Sequence, residues 1–204
     1  LLNGVSLFVW GKGMILNKAD LIFGLAKAKE LAEQYKLYVL GADRDLRSID
    51  DLRAICADYL GKTVRVNELN LPAGNRTIRA MFGALADGSF EIFLLAELGE
   101  RERRFVLCKE LFHVVLDQEQ CRSMDVYSHL EAAAVSFTTA DSKPDGPVVW
   151  EMLAEVAAME FMFPYAERVA VLHAYNGNPD FSAIARRYGL PQVHVESYLS
   201  QPMM

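Results

Sequence analysis

Apolar residues recur every three or four positions along several parts of the chain, which is the spacing of one face of an α-helix. The clearest such segment runs from Lys18 to Tyr38. A second begins after Ser48, which is placed to cap a helix N-terminus with Asp51 as a weaker capping-box partner, and it stops at Gly61. Both segments are predicted to be helices.

Shorter segments in the middle of the chain have the composition of β-strands. They are Thr63–Glu68, Thr77–Leu85 and Phe90–Leu95. The last two flank Asp87-Gly88, a dipeptide that is favoured in tight hairpin turns. We therefore predict a small antiparallel sheet that contains this hairpin.

Helical patterns return in the second half of the chain, with a loop expected at Ser142–Pro147 and a stop at Pro164. The predicted helices are Glu100–Asp117, Ser128–Thr139, Val148–Phe163, Phe181–Tyr188 and Gln192–Leu199. Two helices, a small sheet and then further helices form an α+β order rather than alternating βαβ units.

Composition narrows the class of protein. The length of 204 residues suits one domain with a small appendage, and 52% hydrophobic with 24% charged residues excludes wholesale disorder. The net charge of −6 argues against a surface that binds nucleic acid or anionic lipid as a whole. Three scattered cysteines without a C-x-x-C pair fit a reducing cytoplasm better than a disulfide framework or a cysteine-rich zinc site.

The sequence gives no sign of a membrane segment, because no apolar run reaches the ~18 residues that a membrane span needs. Residues 1–13 are partly apolar but lack the basic leader and cleavage site of a signal peptide. Met14 has the character of a natural start, so whether residues 1–13 are native stays open. We expect a cytoplasmic protein without a membrane partner.

One predicted helix carries residues of recognisable chemistry. The segment Lys109-Glu-Leu-Phe-His113 has the frame of the zinc-binding motif H-E-x-x-H, with lysine in place of the first histidine. In that motif, two histidines four residues apart hold one zinc from the same helix face, and the glutamate activates a bound water. Only Glu110 and His113 remain of this set.

With its surroundings, this segment resembles the ImmA/IrrE family of zinc metallo-endopeptidases. The family pattern R-[RF]-F-[TV]-x-A-H-E-L-x-H-x-L-L is similar to Arg103–Leu116, and E-x-x-A-N/D-x-F-A-x-x-L-L-M-P is similar to Glu151–Pro164. The resemblance extends from about Ser48 to Leu199. The chain departs from the family patterns at Lys109, Glu155 and Ala157.

The resemblance implies a zincin-like peptidase domain over residues 14–175 and a small helix-turn-helix-like unit over residues 176–204 that packs on it. Glu110 would be the vestige of a general base, and His113 and Glu151 the vestiges of metal ligands. The strand that precedes the motif helix would be an edge strand, with Ile92 and Leu94 lining a substrate groove. An ordinary sheet strand is the alternative for that segment.

Lys109 decides what the resemblance implies for function. A catalytic zinc keeps three protein ligands and a water, whereas an ammonium has no lone pair and repels the metal. We therefore expect no zinc cofactor, and we expect the Lys109 ammonium to replace the metal and to pair with Glu151. The protein would be an inactive relative of the enzymes that binds a protein partner. The family suggests a repressor-like regulator, in a phage, stress-response or toxin–antitoxin setting.

Simpler interpretations stay open. Lys109 fits the surface of an amphipathic helix, His113 fits an ordinary packed histidine, and Glu151 fits an acidic residue near a helix N-terminus. A second functional hypothesis is an active, zinc-dependent endopeptidase with an atypical ligand set. Its candidate extra ligands, Asp117 and His129, are suggested by sequence distance alone.

The C-terminal segment, residues 181–199, has the pattern of a helix-turn-helix with Gly189 in the turn. The second helix would be the recognition helix, but it has no lysine or arginine to neutralise DNA phosphates. DNA binding is therefore not expected, and packing against the main domain is. The sequence does not predict an oligomeric state.

Overall fold

The computed structural model describes residues 8–10, 14–16, 18–39, 46–71, 79–116 and 146–200. The elements of the described residues are β1 (Phe8–Trp10), β2 (Met14–Leu16), α1 (Lys18–Tyr38), α2 (Ile49–Leu60), β3 (Val64–Leu69), β4 (Ala80–Ala84), β5 (Phe90–Leu95), α3 (Glu100–Leu116), α4 (Gly146–Met162), α5 (Tyr165–Ala174), α6 (Phe181–Tyr188) and α7 (Gln192–Ser200). The predicted α+β class is confirmed. The helix predicted at Ser128–Thr139 and the candidate ligands Asp117 and His129 lie outside the described residues.

The three-stranded sheet is mixed, so the prediction of an antiparallel sheet is only partly right. β5 is the central strand, with β4 antiparallel on one side and β3 parallel on the other. The β4–β5 hairpin forms through the predicted Asp-Gly turn, in which Gly88 has a φ of 79°. The connection from Leu69 to Ala80 is too long for a tight hairpin turn, so β3 is free to join the opposite side of β5.

The position of β5 also corrects the predicted substrate groove. Ile92 and Leu94 are both 0% exposed, and β5 has a strand neighbour on each side. The two residues therefore belong to the core and cannot line an open groove. An apolar run of this kind fits a central buried strand as well as an edge strand, and the sequence could not separate the two. In the described part of the sheet, β4 is the edge next to α3.

Helix α3 lies at the centre of the molecule, in contact with α1, α2, α4, β4 and β5. Between Phe105 and Leu116, every residue is buried except Lys109 and Val115, which are partly buried. Glu110 and His113 are therefore polar residues inside the core. A buried polar group destabilises the fold unless it has a partner, so this helix requires charges or hydrogen bonds around it.

Several helical boundaries differ from the prediction for reasons of proline chemistry. α4 begins at Gly146, two residues early, because Pro147 is tolerated in the first turn of a helix. The prediction contains no helix at α5, because Pro164 is expected only to end α4, although it also precedes the first turn of the next helix. The prediction also lacks the short β1–β2 hairpin.

The C-terminal helices share the core of the rest of the molecule. The rings of Phe163 and Tyr188 lie 4.2 Å apart, and the His194 ring lies 4.0 Å from that of Phe105 on α3. These contacts fasten α6 and α7 to the centre of the fold. The predicted boundary between residues 175 and 176 stays a prediction. In the regions that the structure describes, no helix combines the length and the apolar character needed to cross a membrane.

Two helices end at a glycine in the left-handed conformation, Gly61 after α2 and Gly189 after α6, each with a φ of 60°. A Cβ at Gly189 would lie 2.9 Å from Arg104 Nε, whereas a Cβ at Gly61 would meet no atom within 4 Å. We expect Gly61→Ala to lower the free energy of unfolding by about 1 kcal/mol, from backbone strain alone. Gly189→Ala should cost about 2–3 kcal/mol, because it adds the steric clash. Equal losses in urea denaturation would show that Arg104 moves aside freely.

Candidate functional site

Four side chains from α3 and α4 form what we call the polar cluster, consisting of Lys109, Glu110, His113 and Glu151. Lys109 and His113 are four residues apart, so they project from the same face of α3. Helix α4 packs against that face and supplies Glu151. The four residues that the motif comparison selected therefore meet in space.

Lys109 is the centre of the polar cluster. Its Nζ donates a hydrogen bond to Glu151 Oε2 at 2.7 Å and lies 3.3 Å from Glu110 Oε1. The side chain of Lys109 is 21% exposed and that of Glu110 is 4% exposed, whereas that of Glu151 is 47% exposed. The Lys109 ammonium is thus the counter-charge of two carboxylates, a buried one on its own helix and a half-exposed one on the neighbouring helix.

His113 occupies the other side of Glu151. Its Nε2 lies 3.1 Å from Glu151 Oε1, and its ring stacks on Phe82 of β4 with 5.5 Å between ring centroids. His113 is only 6% exposed, and its Nε2 has no aligned hydrogen-bond partner among the described residues. This short distance places the imidazole against the Glu151 carboxylate, so His113 contributes to the electrostatics of Glu151.

The opposite charges in the polar cluster stabilise the ionised forms of Lys109 and Glu151. Burial lowers the pKa of the Lys109 ammonium, but the nearby carboxylates of Glu110 and Glu151 outweigh it and raise that pKa above its usual range. Burial likewise raises the pKa of the Glu151 carboxyl, but His113 and Lys109 lower it to well below its usual range. Lys109 and Glu151 therefore remain an ion pair across the neutral pH range.

Glu155 and His194 extend this polar region toward the C-terminal helices. His194 Nδ1 lies 3.2 Å from Glu155 Oε1, and the Glu155 carboxylate also contributes to the raised pKa of Lys109. The sequence marks Glu155 only as a departure from the family pattern and predicts no contact for it. Its spacing of four from Glu151 could have placed it on the same helix face. The contact of His194 depends on tertiary packing, which no local pattern reveals.

Edge strand β4 borders the cluster through Phe82. Leu95 N donates to Arg79 O at 2.9 Å and Leu85 N donates to Ser89 O at 2.8 Å, which fixes the alternation of the hydrogen bonds between β4 and β5. By that alternation, the backbone groups of Phe82 and its second neighbours point away from β5. Within the described residues, no strand pairs with that side of β4.

Comparisons with known proteins leave the family open. No family model and no curated protein matches the chain. Among solved structures, the chain is similar to a Mycobacterium tuberculosis transcriptional regulator, with 17% sequence identity and a TM-score of 0.49. The similarity covers 91% of this chain and 52% of the other, so this chain spans about half the length of the regulator. At this level of similarity, function must be argued from the chain's own residues.

The position of Glu151 argues against the simpler interpretation that it is only an acidic residue near a helix N-terminus. It is the sixth residue of α4, so it lies beyond the first helical turn, where the helix dipole acts most strongly. Lys109 likewise is partly buried rather than fully exposed. The contacts between the two helices therefore account for these residues better than separate surface roles do.

Removal of the ammonium should destabilise the protein. Lys109→Met keeps the length of the side chain but leaves the buried Glu110 carboxylate without its ion-pair partner. We expect a loss of about 2 kcal/mol in the free energy of unfolding, measured by urea denaturation at neutral pH. The matched control is Lys29→Met, because Lys29 is exposed and lies 4.0 Å from Glu33. That change should cost less than about 0.5 kcal/mol, and a similar cost for both would contradict a central role of Lys109.

Glu151→Gln tests the acid dependence of stability. Because the pKa of Glu151 is lowered by folding, its carboxylate stabilises the wild type above the unfolded pKa of about 4.3, and this contribution disappears as the pH falls below it. The free energy of unfolding of the wild type should therefore exceed that of the variant near pH 6. The difference should be at most about 1 kcal/mol, because solvent screens the half-exposed ion pair. This difference should shrink toward about pH 2. Urea denaturation across that range measures it, with Glu33→Gln as the control that should follow the wild type.

Proposed function

We propose that the protein is a zincin-like relative of the ImmA/IrrE metallo-endopeptidases in which the Lys109 ammonium takes the place of the catalytic zinc. It acts by binding a protein partner rather than by hydrolysing it. The observation that carries this proposal is the 2.7 Å hydrogen bond from Lys109 Nζ to Glu151 Oε2. It joins the position of the first motif histidine to the position of the third metal ligand.

The donor groups of the cluster do not fit a catalytic zinc. Such a site takes three protein ligands, whereas the matching positions offer only His113 and Glu151. Glu151 already binds an ammonium, whose charge opposes that of a metal ion. Among the described residues, no group of three His, Cys, Asp or Glu side chains is arranged to hold a metal. We therefore assign no metal-dependent step to the cluster, and Glu110 has no metal-bound water to activate.

Among the described residues, no strand pairs with the side of β4 that faces away from β5, and this side is the surface proposed for a partner. An extended peptide segment can add to a strand edge through main-chain hydrogen bonds, without any reaction. Phe82 places this edge beside the polar cluster, because its ring stacks on His113. The partner suggested by the family resemblance is a repressor-like regulator of a prokaryote or a phage.

Metal analysis tests the replacement of zinc. We expect the purified wild type to hold no zinc at stoichiometric level, as measured by plasma mass spectrometry. Lys109→His restores two histidines four residues apart and keeps Glu151, so it should gain about one equivalent of zinc. The double variant K109H/H113A lacks one of these ligands and should not gain it.

The opposite result would support the active enzyme. If the wild type carries about one equivalent of zinc and loses it in Lys109→Ala, an atypical ligand set must exist and the proposed replacement is wrong. If K109H binds no zinc although circular dichroism shows that it is folded, the polar cluster does not have the geometry of the family site.

A further inference from the structure

We draw no further inference here: the strongest candidate, the side-chain cluster in which His194 of α7 lies 3.2 Å from Glu155 of α4 with its ring 4.0 Å from that of Phe105 on α3, belongs to the site already described, and its contacts account only for the packing of α7 on the centre of the fold.

Discussion

A buried carboxylate at the centre of the fold sets the main constraint on this molecule. Glu110 lies in the helix around which the sheet and the other helices pack, with almost no contact with water. A charge in such a place requires a counter-charge within a few ångströms. Lys109 supplies it, and Glu151 holds Lys109 from the opposing helix. The packing of α3 on α4 and the electrostatics of the polar cluster therefore both depend on Lys109, which pairs with Glu110 and with Glu151.

The sequence predicts the helices and the polar cluster better than it predicts the sheet. The spacing of Lys109, Glu110 and His113 follows from helix geometry, so their common location could be read from the chain. Glu151 required the resemblance to a second family segment, because no local pattern joins residues so far apart. The described structure places all four together, whereas their proposed roles remain for experiment.

The features that the sequence did not reveal are those that depend on tertiary pairing. Burial of Ile92 and Leu94 follows from strand order, and a short apolar strand does not say which strands will flank it. Phe82 and His194 acquire their roles from neighbours on other elements. His194 is a particular case, because the helix-turn-helix pattern would direct the start of its helix outward to DNA. In this fold the histidine instead points inward, to Glu155 and Phe105.

In the described part of the sheet, no strand pairs with the outer side of β4, and this feature bears on how the protein behaves in solution. Residues 80–84 contain neither a charged residue nor a proline, the usual means by which a strand edge resists aggregation. Colloidal stability then relies on repulsion between whole molecules, each with a net charge of −6. Added salt screens that repulsion, so dilute buffers of low ionic strength are the conditions in which the protein should remain best dispersed.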